Sequence, residues 1–288
     1  MAEKITYLVT NYNNAEYIEE CLESIISQNN SNWECFVIDD CSTDNSIERI
    51  SKYVSSKLKF IKNDINIGQT KSIEKLFAYV NTDIVGIIDS DDAIHQDTTE
   101  YVLDGFSKSD RIGLVYTNCI EYGENLVTPI SIGQADKIPF GPSSSIIFGR
   151  VPHLRAFRLS SYYKTKGFED DIKRAEDMDL VYKLEEVCLP LFVNKCLYKY
   201  RCVSNSRSRN HATELEKLKY HYIIKINALK RRRVKGVMYF LYYMIIYLEY
   251  YSKRSKYMNN RLRKKIAQTL YTLLKSIAHK LTFKVLKY

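Results

Sequence analysis

Three carboxylates in four residues, Asp89-Ser90-Asp91-Asp92, directly follow the apolar run Ile84–Ile88 (IVGII). Carboxylates held that close repel one another. A divalent cation that prefers oxygen, Mg²⁺ or Mn²⁺, removes the repulsion and leaves coordination positions for substrate phosphates. The competing reading is an acidic turn capping the next helix, although Asp97, ahead of Thr98-Thr99, could cap without them. A second cluster, Asp39-Asp40-Cys41-Ser42-Thr43-Asp44, follows the apolar segment Cys35–Ile38. Paired carboxylates at a strand end can accept hydrogen bonds from a base N–H or a ribose hydroxyl; a loop with a helix cap is the simpler alternative. Thr10-Asn11-Tyr12-Asn13 closes a first β-branched run, and a loop Tyr there can stack on a nucleobase or simply pack. Glu176-Asp177 opens a helical pattern. A carboxylate at a helix N-terminus is held ionised, as a general base toward a substrate hydroxyl requires, but it also complements the helix dipole with no catalytic role.

These clusters need a scaffold that brings them to one edge. Ile5–Thr10 (ITYLVT) reads as a strand, and Asn14–Gln28 as a helix with Tyr17, Ile18, Cys21, Leu22, Ile25 and Ile26 on its apolar face. Cys35–Ile38, Lys57–Ile61, Ile84–Ile88 and Ile112–Tyr116 read as further strands. Helices are expected after Ser42-Thr43-Asp44, over Gly68–Val80, over Asp97–Ser107 and over Asp177–Val187. Leu191–Arg201 reads as one or two strands. Alternation of strand and helix predicts an α/β fold, a Rossmann-like, mostly parallel sheet with helices on both faces. In such sheets ligands sit off the carboxyl ends of the strands, where the polar clusters fall. Residues 117–160, rich in Gly and Pro, are expected to form an acceptor-side wall.

The succession of strand–Thr-Asn-Tyr-Asn, strand–Asp-Asp-x-Ser-Thr-Asp, an Asn66-x-Gly68 turn, strand–Asp-Ser-Asp-Asp and a Glu-Asp helix start resembles glycosyltransferase family 2, the inverting enzymes of GT-A fold, over about residues 5–201. The resemblance implies a metal-dependent hexosyl-type transferase that moves a sugar from a nucleotide-sugar donor, a UDP-sugar favoured, to an acceptor hydroxyl on a glycan or lipid-linked acceptor. It implies that Thr10, Tyr12, Asp39 and Asp40 hold base and ribose. Asp89, Asp91 and Asp92 would occupy the D-x-D position at the diphosphate, with Asp91 and Asp92 toward Mn²⁺ or Mg²⁺. Asp177 would be the base, with Glu176 its neighbour, and Gly167-Phe168 the element before it. One departure stands out: many members carry Tyr-Arg-x-His after the last core strand, whereas this chain has Tyr200-Arg201-Cys202-Val203. Arg207, Arg209 or His211 could fill the vacant role. Two other classes remain: a nucleotidyltransferase, disfavoured because no Gly occurs in Thr10–Asn14, and a non-catalytic nucleotide-sugar-binding protein on the same fold. The absence of G-x-G-x-x-G argues against a dehydrogenase.

Charge divides the 288 residues. Residues 207–288 hold 21 Lys and Arg against three acids, Glu214, Glu216 and Glu249, a net +18, which leaves 22 basic and 31 acidic residues, or −9, in 1–206. We therefore expect a catalytic domain over 1–206 (nucleotide half about 1–116, acceptor half about 117–206) and a basic helical extension over 207–288. Lys230-Arg231-Arg232-Arg233 ahead of Val237–Leu248 (VMYFLYYMIIYL), and the periodic Arg261–Tyr288, suit an interfacial helix on an anionic membrane. Helices packing on the catalytic domain or forming an oligomer are the alternative. Aromatics that cluster with apolar residues rather than between cations argue against nucleic acid. The apolar run is shorter than the roughly 20 residues a bilayer span needs. No signal-peptide pattern precedes Ile5, and seven scattered cysteines form no C-x-x-C pair, so the expected place is the cytosol, at the inner face of the membrane.

Overall fold

The structure is a computed structural model that describes residues 3–138, 144–202, 211–257 and 261–285. The β-branched runs of the first ninety residues become the parallel half of a nine-stranded sheet. Strand β1 (Ile5–Asn11) is buried at every position, as befits a strand covered on both faces. It pairs in parallel with β2 (Trp33–Asp39) on one side and β4 (Ile84–Asp89) on the other, and β2 pairs in parallel with β3 (Leu58–Lys62). Helices α1 (Ile18–Ile26), α2 (Ser46–Ser51) and α3 (Gln69–Phe77) make the crossovers. The apolar face foreseen for α1 is the buried one: Ile18, Cys21, Leu22 and Ile25 are all in the core.

The other half of the sheet is mixed. After β5 (Ala93–Ile94) and α4 (Thr98–Ser107), β6 (Ile112–Tyr122) runs well past the Tyr116 expected as its end, because its second half pairs with β7 (Pro129–Gly133) and β9 (Leu189–Arg201). Strand β8 (Arg155–Arg158) lies antiparallel between β4 and β6 and is followed by α6 (Leu159–Tyr162). The order is β3-β2-β1-β4-β8-β6-β9-β5, with β7 on β6. Gly86 on β4 packs tightly: a Cβ there would lie 3.2 Å from the buried Tyr7 ring, which would have to shift by a few tenths of an ångström.

Two compact units emerge. The sheet unit comprises residues 1–135, 151–165 and 187–203; the second comprises 136–150, 166–186 and 204–288. This division departs from the linear boundary expected at 206. The second unit joins α5 (Ser144–Ile147) and α7 (Glu176–Leu184) to α8 (His211–Arg231), α9 (Gly236–Tyr257) and α10 (Arg261–Val285). The physical reason is a shared apolar core, in which Ile146, Ile172 and Tyr182 are buried together with Ile224, Tyr242 and Ile245. Among the described residues no helix is long and apolar enough to cross a membrane.

Candidate functional site

Strand register brings the first clusters side by side. Asn11 pairs with Asp39 across β1 and β2, and Thr10 pairs with Asp89 across β1 and β4. The carboxyl ends of three adjacent parallel strands thus present Thr10, Tyr12, Asp39, Asp40, Asp89, Asp91 and Asp92 in one unit. Tyr12 is 47% exposed on its loop.

The two carboxylates after β2 are already heavily engaged. Asp39, fully buried, accepts the Ser42 N–H (2.8 Å), the Ser42 hydroxyl (2.6 Å) and the Asn11 side-chain amide (2.8 Å). Asp40 accepts the Asn63 amide (2.8 Å) and the backbone N–H groups of Ile67 (2.9 Å) and Gly68 (2.8 Å). Gly68 has φ 89°, so the expected Asn66-x-Gly68 turn does use a glycine, and Asp40 is its anchor. A carboxylate has about four acceptor positions, so each keeps about one for any other contact. Their first role is to brace backbone, Asp39 its own loop against the end of β1 and Asp40 the loop after β3, which residue type alone did not reveal.

The Asp89–Asp92 segment is a desolvated acidic knot. Asp89 Oδ1 accepts the Gln69 amide (2.8 Å), and the Asp89 N–H donates to the Tyr198 hydroxyl (3.2 Å). Asp92 Oδ1 accepts the Arg201 N–H (2.7 Å). Its other oxygen is fully buried beside the Tyr198 hydroxyl. Burial, followed by the charges of Asp89 and Asp91, pushes the Asp92 carboxyl far above the ordinary carboxylate range. Burial also raises Asp91, with Arg201 working against it. Arg201 is the residue that sequence reasoning underrated. It lies over the Tyr17 ring at 4.5 Å, donates from Nε to the Asp91 carbonyl (2.6 Å) and pairs with Glu20, with its side chain only 2% exposed. The signal was present in the Tyr200-Arg201 pair at the end of β9. Asp97 stands at the N-cap position of α4 without a capping bond and accepts the Asn29 amide instead (2.6 Å).

Among the described residues no three His, Cys, Asp or Glu side chains form a group able to hold a metal. The donor set suits a hard cation that takes one or two carboxylates and completes its shell with water and substrate phosphate. The buried Asp92 carboxyl and the partly buried Asp91, both raised by desolvation, mark where positive charge is lacking. The two carboxylates differ, however. Asp92 is 1% exposed and committed to the β9 backbone, while Asp91 is only partly buried. Of the two expected ligands, Asp91 is the more exposed.

Glu176 and Asp177 belong to the second unit, in the first turn of α7, whose N-cap Ala175 takes a left-handed φ of 63°. Three acids in that turn, Glu176, Asp177 and Asp179, face the positive end of the helix dipole. Asp179 is buried on Lys183 (2.6 Å), whose ammonium also donates to the Gly167 carbonyl (2.7 Å) and pairs with Glu169 (2.7 Å). The Gly167-Phe168 element is thereby tied to the same helix. His221 on α8 is held neutral: burial lowers its pKa to about 4, against the pull of Asp177 and with the help of Lys225, Lys217 and Lys253. Arg207 and Arg209 lie outside the described residues; the backbone of His211 begins α8.

Residues 6–164 match the family model Glycosyl transferase family 2. Chondroitin synthase of Pasteurella multocida (strain Pm70) is 27% identical over 239 residues, 82% of this chain, and this chain spans only 24% of that protein. S. aureus TarS 1-349 in complex with UDP-GlcNAc has a similar fold, with a TM-score of 0.65 at 18% identity over 87% of this chain and 81% of that one. Mannosyltransferase PcManGT from Pyrobaculum calidifontis in complex with GDP-Man and Mn²⁺ has a TM-score of 0.60 at 15% identity, over 96% and 87% of the two chains.

Proposed function

The chain belongs to glycosyl transferase family 2, and on that premise we propose that it is an inverting, metal-dependent enzyme that moves a sugar from a UDP-sugar to a hydroxyl of a growing glycan. The observation that carries the reading is the convergence of the Asp39-Asp40 and Asp89–Asp92 ends on the Tyr12 loop, together with a Glu-Asp helix start. The fold likeness to S. aureus TarS complexed with UDP-GlcNAc and the sequence likeness to a chondroitin synthase favour a UDP-sugar and a polysaccharide acceptor.

In this reading Tyr12 stacks on the base, and Thr10 with the remaining acceptor position of Asp39 or Asp40 orients the ribose. Asp91 would hold a divalent ion, Mn²⁺ or Mg²⁺, with Asp89 beside it and Asp92 bracing the segment from within. When bound, such an ion offsets the charge of the leaving nucleotide. Asp177 takes the proton of the attacking hydroxyl as that oxygen reaches the anomeric carbon from the face opposite the leaving group, so one displacement inverts the centre. Glu176 adds negative charge beside it. Binding that holds donor and acceptor in line supplies much of the rate.

The basic C-terminal helices suit contact with an anionic leaflet. Arg231 and Arg232 are bound to Glu186 and Glu185, just past the C-terminal end of α7, so the membrane surface falls instead on α10, where Ile266, Leu270, Leu273 and Ile277 are exposed at helical spacing on a helix with no acidic residue. Titration calorimetry of UDP with Mn²⁺ tests the donor site. Wild type should bind only with the metal, and Asp91→Asn should lose that binding. Equal affinity in the variant would remove Asp91 from the site.

A further inference from the structure

The basic cluster Lys230–Arg233 has a use inside the fold. Arg232 donates from Nη2 to the Tyr182 carbonyl (2.9 Å) and pairs with Glu185 (3.0 Å); the two side chains are 7% and 2% exposed. Arg231 meets Glu186 at 3.1 Å and stands 3.6 Å from Asp179. Asp179 in turn holds Lys183, which reaches Glu169 and the Gly167 carbonyl. One chain of charge therefore runs from the Gly167–Glu169 element, through successive turns of α7, to the C-terminal end of α8. Nearer the other end of α8, Arg174 just before α7 pairs with Glu216 (3.2 Å). His221, between these points, is close enough to feel the charge of Asp177.

We infer that α8 is a clamp on the base-bearing helix, and that Lys183 and Arg232 are positioning residues for transfer; the inference rests on Asp177 being the base. Buried ion pairs add little net stability, because desolvation offsets their attraction, but removing one partner strands the other in a low dielectric. Their value is geometric: Arg174, just before α7, is held by Glu216, and on α7 itself Asp179 meets Arg231, the Tyr182 carbonyl meets Arg232 and Lys183 meets Glu169. A planar guanidinium can satisfy a carbonyl and two carboxylates together, which a lysine ammonium at the same position cannot. Small displacements of a catalytic group are costly, since a misplacement of about 1 Å can cost 10²-fold in rate. The first helix of the basic segment is thus part of the catalytic apparatus.

The test compares Arg232→Ala, Arg232→Lys, Lys183→Met and Asp177→Asn in the full chain. It uses the UDP-sugar that wild type hydrolyses fastest, with Mn²⁺, and active sites counted by UDP calorimetry. Hydrogen exchange over 176–184 is followed in parallel. The clamp predicts that Arg232→Ala and Lys183→Met lower kcat per active site at least tenfold while donor KM stays within about twofold. Arg232→Lys should recover part of the loss, and exchange over 176–184 should quicken. Combined with Asp177→Asn, neither substitution should add its full effect. Unchanged kcat per site and unchanged exchange in both variants, with Asp177→Asn inactive, overturns the clamp and leaves the base standing. Full turnover by Asp177→Asn overturns the base and the clamp with it. If Lys183→Met does not fold, Arg231→Gln, with its side chain 22% exposed, takes its place under the same criteria.

Discussion

Acid should weaken the helical unit through one side chain. His221 sits among Asp177, Lys217, Lys225 and Lys253, and burial lowers its pKa from 6.5 to about 4. An unfolded chain takes up a proton at this residue near pH 6.5, while the folded chain does so only near pH 4. Between those values the unfolded state binds more protons, so stability rises with pH across the window. The contribution is fully present above pH 6.5 and is lost as pH falls toward 4. At about 1.36 kcal/mol per pH unit the gap amounts to about 3 kcal/mol. Urea unfolding followed by far-UV circular dichroism reads the helices, and the single Trp33, in the sheet unit, reads the other unit separately. Wild type should lose about 3 kcal/mol more than His221→Gln between pH 7 and pH 4, in the helical signal. Glu249 acts lower down: burial pulls it up, but Lys225 and Lys253 outweigh that and hold it to about 2, so its share is lost only below pH 4.5. Identical pH dependence in wild type and His221→Gln would refute a desolvated neutral histidine.

Asp177→Asn should leave donor affinity near normal and lower turnover by roughly 10² to 10⁴, the usual contribution of a general base; steady-state kinetics with separate KM and kcat decides. Asp40→Ala strips the acceptor from two backbone N–H groups and the Asn63 amide. It should destabilise the sheet unit by on the order of 3 kcal/mol with no nucleotide present, read by Trp33 fluorescence in denaturant. Leu270→Glu with Leu273→Glu places two carboxylates on the exposed stripe of α10 and should weaken sedimentation with phosphatidylserine vesicles at least tenfold at low salt, while phosphatidylcholine vesicles bind neither form.

Periodicity carried much of the sheet unit. Ile18, Cys21, Leu22 and Ile25 can face one way only on a helix, and the runs ending at Asn11, Asp39 and Asp89 are too apolar for anything but strands covered on both faces. Strand β8 was not legible. Its four residues, Arg155–Arg158, carry two arginines and lie in a stretch punctuated by Gly and Pro; only the slot between β4 and β6 makes them a strand. The acidic clusters announced themselves by composition, but their division of labour did not. Asp39 and Asp40 read as ligand contacts until their hydrogen bonds to Ser42, Asn63 and the 67–68 backbone are seen. The C-terminal cluster misled for the same reason. Arg231 and Arg232 look solvated in sequence because their partners, Asp179, Glu185 and Glu186, lie about fifty residues earlier, and no local pattern links them.

Nucleotide release from a panel of sugar nucleotides, with and without Mn²⁺, tests the central claim most directly. Wild type should liberate UDP from at least one UDP-sugar only when the metal is present. The rate should vanish in Asp91→Asn and fall 10²-fold or more in Asp177→Asn. Release that persists unchanged in Asp91→Asn, or no release from any sugar nucleotide by folded wild-type protein, would contradict metal-assisted glycosyl transfer at this site.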